Sequence, residues 1–374
     1  MIYLDSAATT LIKPPSVERE LIQAMRTMAS PGRGGHMPAV RASETVYRCR
    51  EKAARLFGVE NPENVAFTMN ATHALNIAIF SLVSPGTKVL ISGFEHNSVV
   101  RPLRACGAEI TVAGRRLFDT QNVLDEFALC IPKCDLVICT HVSNVFGFIL
   151  PVYEIAQICE RYGVPFILDA SQSAGTLDVN MRKLNAAFIA MPGHKGLFGP
   201  QGTGILLCGR EGKPLLHGGS GSDSLLQTMP EYMPDKYEAG THNVSGIAGL
   251  MAGMEYVEQK GIKNIFEHER QLLGYLGSFL KNMDGIRAYL SEEENQSGVL
   301  SITSEYFNCE ELAYALAEKG ICVRAGLHCS PLAHESAGTI GNGTVRFSFS
   351  PFLSKKQMEV AAETVRTVIK DKIK

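Results

Sequence analysis

Two residues of complementary chemistry follow apolar segments of this chain. Asp169 ends the run PFILD, and Lys195 comes shortly after the run AFIAM. A lysine that a water-poor pocket keeps neutral can form an imine with an aldehyde, and a carboxylate can keep the nitrogen of a pyridine ring protonated. The pair therefore indicates a site for the aldehyde cofactor pyridoxal 5′-phosphate. Taken alone, Asp169 would be assigned to a turn and Lys195 to a solvated surface.

The neighbouring segments suit a flat, phosphorylated ligand. Glycines are frequent around Lys195 in the segment GHKGLFGPQGTG, and glycine lets the backbone approach a ligand closely. Thr72 lies at the start of a predicted helix over ALNIAIFSLV, where a hydroxyl beside free backbone N–H groups can bind phosphate. The alternative is that Thr72 only caps this helix.

The elements that must position these residues are strands, because ligands of open α/β sheets bind beyond the carboxyl ends of the strands. Short β-branched runs alternate with helical patterns from about residue 65 to residue 208. This alternation predicts an α/β fold with a mostly parallel, helix-covered sheet of the seven-stranded type. The predicted strands are NVAFTM, KVLIS, EITVAG, LVICTHV, PFILDAS, AFIAM and GILLC.

The pattern changes after a stretch rich in glycine and serine at 217–224. Further helices are predicted around 246–260, 262–283, 310–319 and 354–369, with shorter strands between them. Since 374 residues are too many for one small core, we predict two domains. The large one comprises residues 11–249, and the smaller α+β domain comprises residues 250–374 joined by residues 1–10.

Charge and hydropathy exclude several classes of partner. The formal net charge of -2 comes from 36 basic and 38 acidic residues, so no global field attracts nucleic acid or an anionic membrane. The N-terminus has no signal-peptide pattern, and no apolar run is long enough to cross a bilayer. We therefore expect a cytoplasmic protein without nucleic-acid or membrane partners.

The ten cysteines are scattered singly along the chain, which favours a reducing compartment over a disulfide framework. Cys130, Cys134 and Cys139 could be taken for metal ligands. However, Cys139 lies in the apolar run DLVICTHV and no second ligand pair follows, so we expect no metal site. Most of the cysteines are expected to be buried small apolar residues.

Ten segments, in order along nearly the whole chain, resemble one known family. They are LDSAATT at 4–10, GRGGH at 32–36, FTMNATHALN at 67–76, EHNS at 95–98, HVSNVFG at 141–147, LDASQSAG at 168–175, GHKGLFGPQGTG at 193–204, EAGTHN at 238–243, VRAGLHCSP at 323–331 and TVRFSF at 344–349. The family is that of the class V aminotransferase-like, fold-type I pyridoxal-phosphate enzymes. Within it, the chain resembles the cysteine desulfurases and the related selenocysteine lyases, and RAGLHCSP resembles the second desulfurase group, whose cysteine lies on a short loop.

The resemblance implies roles for the residues around the cofactor ring. Lys195 would be the Schiff-base lysine, and Asp169 would pair with the pyridine nitrogen. Gln172 would bond the ring oxygen, while His96 would stack on the ring and move protons. Asn144 would touch the ring oxygen or the substrate carboxylate.

The same resemblance implies the phosphate site. Thr72, with the adjacent Ala71, and His194 would hold the phosphate, and Thr241 would arrive from a second subunit, which implies a homodimer. One departure affects this site. The family usually has a hydroxyl residue three positions before the lysine, but Pro192 stands there and offers no side-chain donor.

The resemblance also implies the substrate contacts and the sulfur-accepting group. Arg346 would bind the substrate carboxylate as a bidentate fork, with Asn144, Ala7 and Arg324 as further substrate-binding residues. Cys329 would be the reactive thiol. Its alternative is a buried structural cysteine, but its polar loop contains Arg324 and His328, whose positive charge would favour the thiolate.

The implied reaction removes sulfur from L-cysteine to leave L-alanine. Cys329 would take the sulfur as a persulfide and pass it to a separate acceptor protein. Selenocysteine lyase activity on the same scaffold is the nearest alternative. A transaminase or kynureninase-like hydrolase would not need Cys329, and a catalytically silent docking scaffold would not need Asp169, Lys195 and Arg346 together.

Overall fold

The computed structural model describes residues 1–32 and 34–373. Arg33, in the GRGGH segment, lies outside the described residues. The strands are β1 (Ile2–Tyr3), β2 (Val65–Thr68), β3 (Lys88–Ser92), β4 (Glu109–Ala113), β5 (Leu136–Thr140), β6 (Phe166–Asp169), β7 (Phe188–Pro192), β8 (Gly204–Cys208), β9 (Ile286–Tyr289), β10 (Val299–Ser304), β11 (Ile321–Cys322), β12 (Arg324–Gly326) and β13 (Thr344–Ser348).

Helices alternate with the strands of the large sheet and then dominate the C-terminal third. The α-helices are α1 (Pro15–Thr27), α2 (Met37–Phe57), α3 (Ala71–Leu82), α4 (Asn97–Ala105), α5 (Thr120–Cys130), α6 (Val152–Tyr162), α7 (Met181–Leu184), α8 (Val244–Lys260), α9 (Ile262–Lys281), α10 (Cys309–Glu318), α11 (Pro331–Ala337) and α12 (Lys355–Ile373). Short 3₁₀ turns occur at Pro62–Asn64 and Ile131–Lys133.

The large sheet has seven strands in the order β2-β8-β7-β6-β5-β3-β4. Five neighbours, from β7 to β4, run parallel, and β8 is antiparallel to both β2 and β7. Strands β5 to β8 are buried along their whole length, as expected when helices cover both faces of a parallel sheet. The predicted mostly parallel seven-stranded sheet is confirmed.

The small domain has its own core. A four-stranded antiparallel sheet, β12-β13-β10-β9, packs against α9, α10 and α12. Strand β1 pairs with β11, and Leu4 is buried in this second core with Leu300 and Phe347. The first residues of the chain therefore pack with the C-terminal residues.

The boundary expected at 249/250 falls inside α8. Leu250 and Met254 of this helix are buried in the core that also contains Leu168 and Ile189 of the large sheet. Cutting the helix there would expose apolar surface of that core. We therefore propose that α8 belongs to the large domain and that the small domain begins with α9. Across residues 1–32 and 34–373, none of the helices has both the length and the apolarity needed to span a bilayer.

Two glycine-containing loops contact each other beyond the carboxyl ends of β6 and β7. Gly175 has φ +90°, and a Cβ atom at this position would lie 2.1 Å from the carbonyl oxygen of Gly196. These loops carry Asp169 and Lys195 at their starts. The close contact of the two backbones therefore fixes the positions of both residues.

We predict that Gly175→Ala lowers the free energy of unfolding by about 2–4 kcal/mol, because the methyl group requires a backbone shift at a position with positive φ. The matched control is Gly163→Ala, at φ +66° with no other atom within 4 Å of the added carbon. It should cost about 1 kcal/mol. Urea unfolding of both variants tests this, and equal losses would contradict the close-contact argument.

Candidate active site

A cleft with about 500 Å³ of empty volume lies beyond the carboxyl ends of β5, β6 and β7. Thr140, Asp169 and Pro192 are the last residues of these three strands. The cleft is lined by residues from five segments, which follow β2, β3, β5, β6 and β7: Asn70, Ala71, Thr72, His96, Ser98, Thr140, Val142, Asn144, Asp169, Ser171, Gln172, Pro192, His194 and Lys195. The structure thus brings eight of the predicted site residues to one place.

Asp169 and Lys195 form the charged centre of the cleft. Asp169 is 2% exposed, and its Oδ1 accepts a hydrogen bond of 2.9 Å from the backbone N–H of Ser171. Burial lowers the pKa of Lys195 to about 8, although the Asp169 carboxylate opposes this shift; the guanidinium groups of Arg346 and Arg324 reinforce it. The neutral, nucleophilic form of the Lys195 amine is therefore far more populated near neutral pH than for an ordinary lysine, although it is still the minor form.

His96 caps the N-terminus of α4 and is held as a neutral ring. Its Nδ1 accepts a hydrogen bond of 3.0 Å from the backbone N–H of Ser98, so the proton of the neutral ring lies on Nε2. Burial lowers the pKa of His96 to about 4, and the charge of Lys195 adds to the effect. His96 therefore offers the cleft an N–H donor at Nε2.

Glu95 anchors the turn that presents His96. Its Oε1 accepts hydrogen bonds from the Ser92 hydroxyl at 2.5 Å and from the backbone N–H of Thr140 at 2.8 Å. The residue is fully buried, and burial raises its pKa to about 8. Glu95 therefore ties the ends of β3 and β5 together beneath the histidine, a role that its place in the EHNS segment did not reveal.

One end of the cleft has the features of an anion site. Asn70 caps α3 by accepting from the His73 N–H, so Thr72 is not the cap. Within the described residues, the backbone N–H groups of Ala71 and Thr72 have no protein acceptor. The Thr72 hydroxyl is 2.7 Å from the Ser98 hydroxyl. Free N–H groups at a helix N-terminus beside hydroxyl groups are suited to phosphate.

His194 and Pro192 flank this end of the cleft. His194 Nδ1 lies 3.1 Å from the Thr9 hydroxyl, and burial lowers its pKa to about 4. Pro192 brings no donor, whereas Ser98 adds a hydroxyl that the sequence analysis missed. Its position in the EHNS segment, two residues after His96, was the available signal.

Arg346 lies in β13 at the junction with the small domain. Its Nη2 contacts Asp5 Oδ1 at 2.7 Å, and its Nη1 donates to the main-chain oxygen of Asn144 at 3.0 Å. Its Nε is buried without a partner among the described residues. Several guanidinium N–H groups thus remain for a carboxylate. Arg324 faces Arg346 in the register of β12 and β13 and is exposed.

Ala7 and Gln172 contact each other next to this arginine pair. Gln172 Nε2 donates to the Ala7 carbonyl at 3.1 Å, and the Ala7 N–H donates to the Ser348 hydroxyl at 2.8 Å. Both main-chain groups of Ala7 therefore have protein partners, and Ala7 offers a substrate only the surface of its methyl group. Gln172 retains a second amide N–H and its oxygen for a ligand.

Cys329 is the exposed member of the ten cysteines, all of which lie in the described part of the chain. It follows His328 in a loop where both residues have positive φ, 49° and 58°. A non-glycine residue in this region costs about 1 kcal/mol or more. The Cys329 carbonyl accepts a hydrogen bond of 2.8 Å from the backbone N–H of Asn97, next to His96. This bond holds the cysteine loop at the cleft.

The expectation that His328 contributes positive charge beside the thiol is wrong. The residue is 6% exposed, and burial, with repulsion from Arg346, lowers its pKa to about 2. Its neutral ring stacks on His334 and bonds the Thr344 hydroxyl at 3.1 Å. The hydroxyl and ring contacts make His328 a structural residue of the loop.

Thr241 does not reach the Lys195 cleft within one chain. It lines a neighbouring cleft with Met69, His73 and Glu238. Burial alone would raise the pKa of Glu238, but its contacts with Arg50 and His242 outweigh burial and lower it. This buried ion pair fixes the turn that carries Thr241.

The donor set of the Lys195 cleft fits pyridoxal phosphate. The cleft offers a partly neutral lysine, a buried carboxylate on the opposite loop, an imidazole, and an anion site at the start of α3. Lys195, Asp169 and Thr72 could hold the aldehyde carbon, the ring nitrogen and the phosphate, respectively.

Comparison with known proteins agrees with this geometry. The sequence matches the aminotransferase class-V profile over residues 2–360. A probable cysteine desulfurase of Methanothermobacter thermautotrophicus is 32% identical over 98% of this chain and 94% of its own length. The apo cysteine desulfurase of Thermococcus onnurineus superposes with a TM-score of 0.92 at 29% identity, over 99% of this chain and 95% of that one.

A cysteine desulfurase of Escherichia coli, solved in an S-sulfonic acid form, superposes with a TM-score of 0.87 at 25% identity, over 98% of this chain and 94% of that one. The family profile and the relatives both extend over nearly the whole chain. The chain therefore belongs to the cysteine desulfurases of the aminotransferase class-V family.

Proposed function

We propose that this enzyme takes sulfur from L-cysteine and leaves L-alanine, with Cys329 as the group that receives the sulfur. The observation that carries this proposal is the position of Cys329. Its thiol is exposed, while its carbonyl is bonded to the residue after His96. An exposed thiol is thereby held beside the segment that carries His96, which lines the same cleft as Lys195 and Asp169.

Lys195 would hold the cofactor covalently, Asp169 would face its ring nitrogen, and Ala71, Thr72 and His194 would bind its phosphate. Gln172 and Asn144 would contact the ring oxygen. Bound pyridoxal phosphate supplies an electron sink that stabilises negative charge at the substrate Cα.

Two residues of the cleft can take part in proton transfer, and both have lowered pKa values. Lys195 Nζ can take the Cα proton when its amine is neutral, whereas His96 Nε2 carries the proton of its neutral ring and can only donate. A base with a pKa near the working pH is the most effective, which favours Lys195 as the acceptor. Arg346, assisted by Arg324, would bind the substrate carboxylate and fix the Cα–H bond toward Lys195.

The sulfur step needs no external oxidant. The Cys329 thiolate forms a bond to the substrate sulfur, and the Cβ–S bond of the substrate breaks. The electron pair of that bond remains on the carbon side, Cβ gains one proton to become the methyl group of alanine, and Cα regains the proton it lost. The sulfur atom stays on Cys329 as a persulfide until an acceptor thiolate attacks it.

The assembly and its partners extend this proposal. Thr241 lines other clefts than the Lys195 cleft of its own chain, so we propose that it contributes to the phosphate site of a second subunit in a homodimer. The exposed thiol suits a separate sulfur-acceptor protein, which would meet Cys329 directly. A reducing compartment such as the cytoplasm remains our prediction for ten unpaired thiols.

We predict that Asp169→Asn keeps the fold and the bound cofactor but lowers the rate of alanine formation about 100-fold, because the buried charge opposite the ring nitrogen is lost. The Ser171 hydrogen bond can be kept by the amide oxygen. Alanine release and the visible absorbance of the cofactor would be measured together.

The control for this substitution is Asp178→Asn, at an exposed carboxylate paired with Lys183. It should leave the rate within about twofold, as expected for a surface ion pair. Turnover of Asp169→Asn close to that of the parent would show that Asp169 is not the partner of the ring nitrogen.

We predict that Cys329→Ala still binds cofactor and cysteine but releases almost no sulfur, since the accepting thiolate is gone. Selenium leaves carbon more readily than sulfur, so the variant should keep a substantial part of any activity toward selenocysteine. Cys130→Ala, at a partly buried cysteine away from the cleft, is the control and should match the parent.

Parallel assays of alanine formation from both substrates distinguish the alternatives. Sulfur release by Cys329→Ala at the parent rate would refute the role of the thiol. A parent enzyme that cleaves selenocysteine and ignores cysteine would establish a selenocysteine lyase instead.

A further inference from the structure

The side chain of Asn144 bridges both sides of Cys329. Its Nδ2 donates to the carbonyl of His328 at 2.8 Å, and its Oδ1 accepts from the hydroxyl of Ser330 at 2.6 Å. The carbonyl of His328 can only accept, so it fixes which end of the amide is nitrogen. The residues before and after the reactive cysteine are therefore tied to one amide group.

This bridge acts on a strained part of the backbone. His328 and Cys329 both have positive φ, a conformation that persists for non-glycine residues only when their surroundings enforce it. Asn144 is 9% exposed and Ser330 is fully buried, so water does not compete freely for these bonds. Together with the Asn97 N–H, the bridge holds the loop and leaves the thiol of Cys329 as its exposed part.

Asn144 also contacts the rest of the site. Its main-chain oxygen accepts from Arg346 Nη1 at 3.0 Å, and the residue lines the cleft together with Lys195. A carboxamide nitrogen carries two protons, and one of them is used by His328. The second remains for a ligand in the cleft, so one residue contacts the ligand space, the carboxylate-binding arginine and the cysteine loop.

We propose that Asn144 is a positioning residue for Cys329, with the Ser330 hydroxyl locking its amide in place. The bridge sets the thiol at the distance from the substrate that sulfur removal requires. This inference rests on the proposed function and adds to the ring contact that the family resemblance implies for Asn144. Ser330, which has no contact with the cleft, becomes a determinant of the rate.

The test is Ser330→Ala in the cofactor-loaded enzyme, which removes the lock without touching the cleft. We expect kcat for alanine formation from cysteine to fall about tenfold, because small displacements of reacting groups are costly. The KM for cysteine and the cofactor absorbance should stay within about twofold. Ser330→Thr retains the hydroxyl and should restore most of kcat.

A second measurement does not depend on activity. Hydrogen exchange should become faster in Ser330→Ala at the Asn97 N–H, which donates to the Cys329 carbonyl, since the loop opens more often. Ser336→Ala removes a hydroxyl that donates to the Gly93 carbonyl at 2.8 Å, close to the same loop but outside the bridge. This control should change neither kcat nor exchange at Asn97.

The outcomes are distinct. The inference is wrong if Ser330→Ala keeps the parent values of kcat and of the exchange rate at the Asn97 N–H. It is also wrong if Ser336→Ala loses as much of kcat as Ser330→Ala does, or if Ser330→Ala loses the cofactor. If Ser330→Ala does not fold, Asn144→Asp, which replaces the donor to His328 with an acceptor, must give the same faster exchange or the inference fails. A parent enzyme without activity on cysteine would refute the proposed function, while the exchange data would still decide the bridge.

Discussion

The chemistry of this enzyme depends on hydrogen bonds that hold a strained loop against the neighbouring domain. Cys329 belongs to the segment between β12 and α11, whereas Lys195 and Asp169 follow strands of the large sheet. The bonds from Asn97 and Asn144 to consecutive carbonyls of the loop cross this division. Without them, the positive φ angles at 328 and 329 would relax, and the thiol would lose its fixed relation to the cleft.

The charged residues around the cleft suit the amino acid that the cleft is proposed to bind. Lys195, Arg346 and Arg324 concentrate positive charge where an amino-acid carboxylate would lie, and Asp5 and Asp169 balance it. Arg346 is buried with Asp5 as its partner, because an unpaired charge there would be costly. The same burial lowers the pKa of Lys195 to about 8, so in the proposed function one environment would serve both substrate binding and proton transfer.

Much of the fold was predictable because the large sheet has a simple pattern. All seven of its strands coincide with apolar runs flanked by helical segments. Helices α1 and α2 were not assigned, since they precede the alternating region, and the boundary at 249/250 cut α8, whose apolar residues continue across it. Sequence patterns show that a helix is apolar, but they do not show which of two cores it covers.

The shared position of Lys195 and Asp169 in one cleft could be predicted, because both follow strands of the large sheet. The sequence says less about residues whose protonation state or contacts depend on burial or on partners far along the chain. His328 was expected to be charged, but its ring is enclosed. Ala7 remains a predicted substrate contact, but partners far along the chain, Gln172 and Ser348, bind both its main-chain groups, which leaves its methyl group for the substrate. Asn97 and Ser330 gain their roles from residues distant in sequence, Cys329 and Asn144, which no local motif reveals.

The most direct test of the central claim is the mass of the Cys329 peptide after one turnover. The cofactor-loaded enzyme would be mixed with an equivalent of L-cysteine in the absence of reductant, blocked with an alkylating agent, digested and analysed by mass spectrometry. The account predicts that the peptide containing Cys329 gains one sulfur atom in step with alanine formation. Alanine formed without added sulfur at Cys329, or with the sulfur on another of the ten cysteines, would contradict it.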